Sequence, residues 1–120
     1  MAFSPEPELA MASLRDTGGL AEERLSALHA HTGTVSSQIE RYYGHQGTAW
    51  FNQTCLRSAG LSGAETTESF SSLGSVGAAN IPVNLWYAAR SGQLKRGNLV
   101  TTYGVGMGLS WSGSVMKWAF

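Results

Sequence analysis

Glycine constrains what this chain can fold into more than any other residue type does. Fifteen of its 120 residues are glycine, and from Gly33 onward they recur too often for a long uninterrupted helix or strand. Glycine favours helix ends, turns and sites of close backbone approach over element interiors. The fold must therefore be assembled from short elements joined by tight connections. Gly33 closes one candidate helix, Gly60 a second and Gly92 a third. Gly44-His45-Gln46-Gly47, Gly74-Ser75-Val76-Gly77 and Gly104-Val105-Gly106-Met107-Gly108 mark connections that need unusual backbone angles or close packing.

A chain of this length has room for one domain and one core, domains commonly running to about 100–150 residues. Hydrophobic residues make up 42% and charged residues 13%, against a usual charged share of about 25%. That composition is far from disordered and leaves much of the surface uncharged, so an apolar face covered by a partner chain or a second copy is expected. Eight basic residues cancel eight acidic ones, which disfavours nucleic acid and anionic membranes as partners. Cys55 is the only cysteine, excluding an intramolecular disulfide framework and a thiolate-rich zinc site and suiting a reducing compartment. The start of the sequence lacks the basic and apolar regions of a signal peptide, and no apolar run approaches the roughly 20 residues of a transmembrane helix. A cytoplasmic location and no membrane partner are expected.

Pro5 and Pro7 flank Glu6 in an extended, solvated stretch, so residues 1–19 read as a flexible lead-in and 20–120 as the folded domain. Leu20, Leu25 and Leu28, with Glu22, Glu23 and Arg24 on other faces, predict an amphipathic helix from Leu20 to His31. Ile39 to Tyr43 is rich in β formers and reads as a strand delivering His45 to its carboxyl end. Thr48 to Ala59 lacks Gly and Pro and reads as a helix, with Trp50, Phe51, Thr54, Cys55 and Leu56 supplying its apolar face. Thr66 to Phe70 reads as a short strand. Pro82 sits in the first turn of a helix through Arg90, where its missing N–H costs nothing. Leu99 to Tyr103 and Leu109 to Phe120 close the chain as strands. The order α, β, α, β, α, β, β predicts an α/β layered fold, a mixed sheet with helices on its faces, its last two strands pairing antiparallel around the glycine loop.

His45 is the first candidate for chemistry, because ligands of open α/β sheets collect at the carboxyl ends of strands. Gly104-x-Gly106-x-Gly108 lies between two strands rather than a strand and a helix, so the dinucleotide fingerprint does not apply. Backbone N–H groups in such a loop can form an oxyanion hole.

Four blocks carry a more specific signal through their order: His45-Gln46, then Gly74-Ser75-Val76-Gly77-Ala78-Ala79-Asn80-Ile81-Pro82, then Ser91-Gly92-Gln93-Leu94-Lys95-Arg96-Gly97, then Gly106-Met107-Gly108-Leu109-Ser110-Trp111. With them the chain resembles, over about residues 36–120, the C-terminal part of a ketoacyl synthase III-type condensing enzyme of the thiolase superfamily. Such enzymes use a cysteine nucleophile from the N-terminal half, with a histidine and an asparagine from the C-terminal half, to condense an acyl thioester with a malonyl thioester. The resemblance implies a thiolase-like layered fold and acyl thioesters of coenzyme A or acyl carrier protein as partners, with no cofactor. It matches His45 to the histidine that stabilises the thioester enolate and the Met107 N–H to the donor that polarises the acyl carbonyl. Gly74, Gly106 and Gly108 fall at substrate-binding turns.

The departures are as informative. The family's Gly-Asn-Thr block is Gly74-Ser75-Val76 here, so Ser75 stands at the catalytic asparagine, with a hydroxyl that donates but reaches less far than a carboxamide. The Ala-Asn after His-Gln is Gly47-Thr48, and a basic position nearby is Trp50. Asn80 matches a small-residue helix position and is not a substitute asparagine. Cys55 falls inside a predicted helix, whereas an activated thiolate favours a helix N-terminus or a cationic neighbour, so it reads as a buried structural residue. The nucleophile-bearing half is absent, and the chain is read as contributing His45, Ser75 and the Met107 amide to a site shared with a partner half. The alternative is a non-catalytic acyl-binding or scaffold module, degenerate at Ser75, that associates with a complete synthase. His29 and His31 read as a helix end rather than a metal site, Lys95-Arg96 as a solvated turn, and Trp111 and Trp118 as core residues of the last strand.

Overall fold

A computed structural model of the chain describes residues 16–106 and 110–120. Helix α1, Thr17–Thr32, forms where Ala21, Leu25 and His29 recur at helical spacing and are buried together. It begins within the expected lead-in, so residues 17–19 are helical; residues 1–15 lie outside the described residues. Gly18 allows this early start, because a Cβ there would lie 2.5 Å from Ser58 Oγ of the neighbouring helix. Gly33 ends α1 in the left-handed region, at φ 70°, and the N–H groups of Gly33 and Thr34 close the last turn on Ala30 and His29 carbonyls.

Strand β1, Arg41–Gly44, leads through His45 and a turn into α2, Phe51–Ser58. The helix starts later than predicted: Phe51, Cys55 and Leu56 are its buried face, while Trp50 caps it and is exposed. One-turn α3, Phe70–Leu73, then α4, Asn80–Arg90, precede β2, Leu99–Val105, and β3, Trp111–Lys117. Strands β1 and β2 pair in parallel, with Gly44 opposite Tyr103, and β2 pairs antiparallel with β3, with Val105 opposite Trp111. The predicted α/β architecture and the closing hairpin are both present. Among the described residues no helix is long and apolar enough to cross a membrane.

Strand alternation sends neighbouring side chains to opposite faces. Tyr42 and Tyr103 join Ala21, Leu25, Phe51, Cys55 and Leu56 in the core under α1 and α2. Tyr43 and Val100 pack with Ala88 and Leu94 on the α4 side. Removing a leucine-sized side chain from water contributes about 1.5–3 kcal/mol, so these two apolar layers hold the helices to the sheet.

The strand predicted over Thr66–Phe70 is not formed. Glu65 makes a single parallel bridge with Arg41, and the chain then leaves the sheet. The reason is a competing set of hydrogen bonds. The Gln46 carboxamide donates to the Thr67 carbonyl (2.8 Å) and accepts from the N–H groups of Ser69 (3.0 Å) and Phe70 (3.1 Å). A side chain thus supplies the partners that a strand neighbour would otherwise supply.

Trp118 packs against the α4-side core as predicted. Trp111 does not fill the core: it is 39% exposed at the loop end of the hairpin, tilted against Tyr103 with the Arg24 guanidinium 5.7 Å from its ring centre. Arg24 also donates to the Tyr103 hydroxyl at 2.9 Å, tying α1 to the sheet.

His29 and His31 lie in the last turn of α1, and the buried His29 Nε2 shares a 2.9 Å hydrogen bond with Thr101 Oγ1. Burial lowers the His29 pKa below the ordinary 6.5. The unfolded chain therefore binds a proton more readily than the folded one, so stability falls as pH drops from 6.5 through the lowered value. Urea melts at stepped pH should show this slope, and His29→Gln should flatten it; an unchanged slope would exclude His29 as the source.

Candidate functional site

The parallel pair β1 and β2 ends at a cleft of about 910 Å³. His45 and Gly47 approach from β1, Ser75 and Gly77 from the loop before α4, Ile81 from α4, and Gly104, Val105 and Gly106 from the end of β2. The opening residues of β3, including Trp111, complete the lining. Three of the sequence candidates, His45, Ser75 and Gly106, therefore meet at the carboxyl ends of two parallel strands, where an open α/β sheet exposes its ligand crevice.

His45 is fixed at both backbone and ring. Its N–H donates to the Tyr103 carbonyl (2.8 Å), continuing the β1–β2 ladder by one residue. Its ring meets the buried Phe51 edge-on, with centroids 5.5 Å apart. Partial burial lowers its pKa, favouring a neutral imidazole with one N–H donor and one acceptor nitrogen at neutral pH.

Ser75 is exposed on the cleft wall. Gly74 turns the chain toward it with φ 67° and ψ −158°, a combination essentially restricted to glycine. Gly74 therefore shapes the wall through its backbone. Gly106 lies close to the opposite strand, where a Cβ would lie 2.6 Å from Ser110 Oγ across the hairpin and the serine hydroxyl would have to turn away. Its N–H donates to the Ser110 carbonyl (2.8 Å). Met107 and Gly108 lie outside the described residues.

Cys55 is fully buried in α2 and does not line the cleft. Burial pushes its thiol up to about 12, leaving almost no thiolate for nucleophilic attack near neutral pH. The structural reading of this cysteine agrees with its placement.

Gln46 and Asn80 are positioning residues that sequence reasoning missed. The Gln46 N–H donates to Asn80 Oδ1 (3.3 Å), joining the end of β1 to the start of α4, and the Gln46 side chain holds the segment leading to Ser75. A usable signal was present: with His45 turned toward the cleft, alternation turns Gln46 inward, and a buried carboxamide must find partners.

The family model described as 3-Oxoacyl-[acyl-carrier-protein (ACP)] synthase III C terminal matches residues 28–118. Beta-ketoacyl-[acyl-carrier-protein] synthase III of Desulfitobacterium hafniense is 30% identical over 100 residues, covering 83% of this chain and 30% of that protein. The Clostridioides difficile protein of the same name is 34% identical over 99 residues, 82% of this chain and 30% of its own length. In fold, the chain is similar to 3-oxoacyl-(acyl carrier protein) synthase III, FabH, of Pseudomonas aeruginosa, with a TM-score of 0.83 at 20% identity over 92% of this chain and 34% of that one. Xanthomonas campestris OleA gives 0.79 at 24% identity, over 91% and 32%. The chain spans about a third of the length of these relatives.

Proposed function

The chain belongs to the 3-oxoacyl-[acyl-carrier-protein] synthase III C-terminal family, and from that membership we propose that it supplies one wall of an acyl-thioester site whose cysteine nucleophile comes from the N-terminal half of such a synthase. The observation that carries this reading is the cleft itself, which gathers His45, Ser75, Gly104 and Gly106 while Cys55 stays buried elsewhere. In the proposed roles, neutral His45 donates to the oxygen of the thioester enolate that forms on decarboxylation. By resemblance to the family's Gly-x-Gly turn, the Met107 N–H is assigned the role of polarising the acyl carbonyl. Ser75 occupies the position of the second enolate donor. The substrates are acyl thioesters of coenzyme A or acyl carrier protein.

A partner half also gives the apolar surface something to cover. Trp86 is 54% exposed and Tyr87 46% exposed, a large uncovered aromatic area for a single small domain. These side chains support association with a partner chain or a second copy.

Co-expression with a chain carrying the cysteine-bearing half, followed by assay with labelled acyl and malonyl thioesters, tests the reading. Condensation is expected only with both chains present, to depend on the partner's cysteine, and to be unchanged after Cys55→Ala. Label mapped to Cys55 would overturn the division of labour. Tight binding of acyl thioesters without turnover, alone and in the complex, would establish the scaffold alternative.

A further inference from the structure

Arg24 sits on α1, one helical turn before Leu28 and outside the lining of the cleft. Its charge meets no carboxylate at ion-pair distance among the described residues. Two other groups engage it. The guanidinium donates to the Tyr103 hydroxyl at 2.9 Å and lies 5.7 Å from the ring centre of Trp111, inside the roughly 6 Å over which a cation is attracted to an aromatic face. Tyr103 is 1% exposed, so its hydroxyl is a fixed anchor, and its ring tilts against Trp111 with centroids 6.2 Å apart. Leu28 fills the space above Gly113, two residues beyond Trp111 on the same face of β3. Helix α1 thereby covers the face of the hairpin that carries Trp111.

We infer that Arg24 is a positioning residue for the cleft: anchored on the Tyr103 hydroxyl, its guanidinium fixes the Trp111 indole as part of the cleft lining. Trp111 is the largest side chain of that lining and is partly exposed, so its orientation decides how much of the crevice is open to a ligand. Without the guanidinium the indole loses one of the two groups that orient it and gains freedom on its exposed side. A residue of α1 thus sets the width of the site through another side chain. The consequence for acyl thioesters rests on the proposed function, whereas the placement of Trp111 can be measured without turnover.

The full chain, isotope-labelled at its indole nitrogens, tests this by NMR. Its four tryptophans give four indole N–H signals, and Trp111→Phe and Trp118→Phe assign the two that matter. Arg24→Met keeps most of the stem and removes the charge and the donors. In it the Trp111 signal should shift and become more accessible to a soluble paramagnetic probe. Trp118, packed in the α4-side core, should stay unmoved as the internal control. Tyr103→Phe deletes only the anchoring oxygen and should move Trp111 in the same direction; it decides the question alone if Arg24→Met does not fold. An unmoved Trp111 signal in either folded variant overturns the inference. So does an equal displacement of Trp118, which would mean general loosening, and so does failure of both variants to fold. In the complex with the cysteine-bearing half, Arg24→Met should raise KM for the acyl thioester severalfold, a larger factor than it lowers kcat, whereas His45→Ala acts on kcat. Turnover with KM unchanged would also overturn it. If the complex shows no condensation while Trp111 moves as expected, the clamp on the indole stands and the proposed reaction fails.

Discussion

His45→Ala in the complex with the cysteine-bearing half should lower malonyl-thioester decarboxylation by on the order of 10²–10³, the usual effect of removing one well-placed oxyanion donor, equivalent to roughly 3–4 kcal/mol. The effect should appear in kcat, because the hydrogen bond strengthens as charge develops on the thioester oxygen. Ser75→Asn should act in the opposite direction. A serine hydroxyl on the cleft wall reaches less far than a carboxamide, so restoring the longer donor should raise decarboxylation if Ser75 is an impaired second donor. If the chain serves an acyl transfer that needs no malonyl enolate, Ser75→Asn will be neutral and His45 will act as a general base toward the acceptor. The pH profile separates these cases from a scaffold role. A neutral imidazole is required in both, and burial has lowered the His45 pKa, so activity should persist below pH 6.5 and fall only as pH drops through the lowered value. Full activity of a folded, partner-bound His45→Ala protein in both assays would remove His45 from the mechanism and leave the scaffold reading.

Local signals and long-range ones were unequally legible in the sequence. Gly33 and Gly60 stop helices because each adopts a positive φ at the end of an apolar-periodic segment, and both facts depend on neighbouring residues alone. The strand carrying His45 and the hairpin around the glycine loop were readable for the same reason. The absent strand at Thr66–Phe70 failed through a competition invisible to composition: β-forming residues make a strand available, but Gln46 captures the backbone groups of Thr67, Ser69 and Phe70. Trp111 was misplaced because size predicts burial only where another layer covers the residue, and the hairpin end instead faces the cleft. For the site, the ordered blocks carried His45, Ser75 and Gly106 to the same wall. The residues that hold that wall, Gln46 and Asn80, were not read for that role in the pattern, and it became visible only through their contacts.

Gln46→Leu should therefore be the most destabilising single change near the cleft. The side chain is 1% exposed, and leucine matches much of its volume while removing every hydrogen bond it makes. The Ser69 N–H is buried and the Phe70 N–H partly so, and the Thr67 carbonyl loses its carboxamide donor. A buried backbone group left without a partner costs about 1–3 kcal/mol. With three groups affected and two of them partly solvated, a loss of about 2–5 kcal/mol is expected, a large share of the roughly 5–15 kcal/mol that holds a typical domain folded. Chemical denaturation should register it as a lower midpoint, and hydrogen exchange should rise first at Ser69 and Phe70. Gln46→Glu distinguishes lost hydrogen bonds from altered packing. A carboxylate can still accept from Ser69 and Phe70 but repels the Thr67 carbonyl, whereas the protonated acid can donate to it. Its stability relative to the parent should therefore recover as pH falls, because the folded state favours the protonated form. A Gln46→Leu protein as stable as the parent, with unchanged exchange at Ser69 and Phe70, would mean that the loop carrying Ser75 is held by something other than this carboxamide.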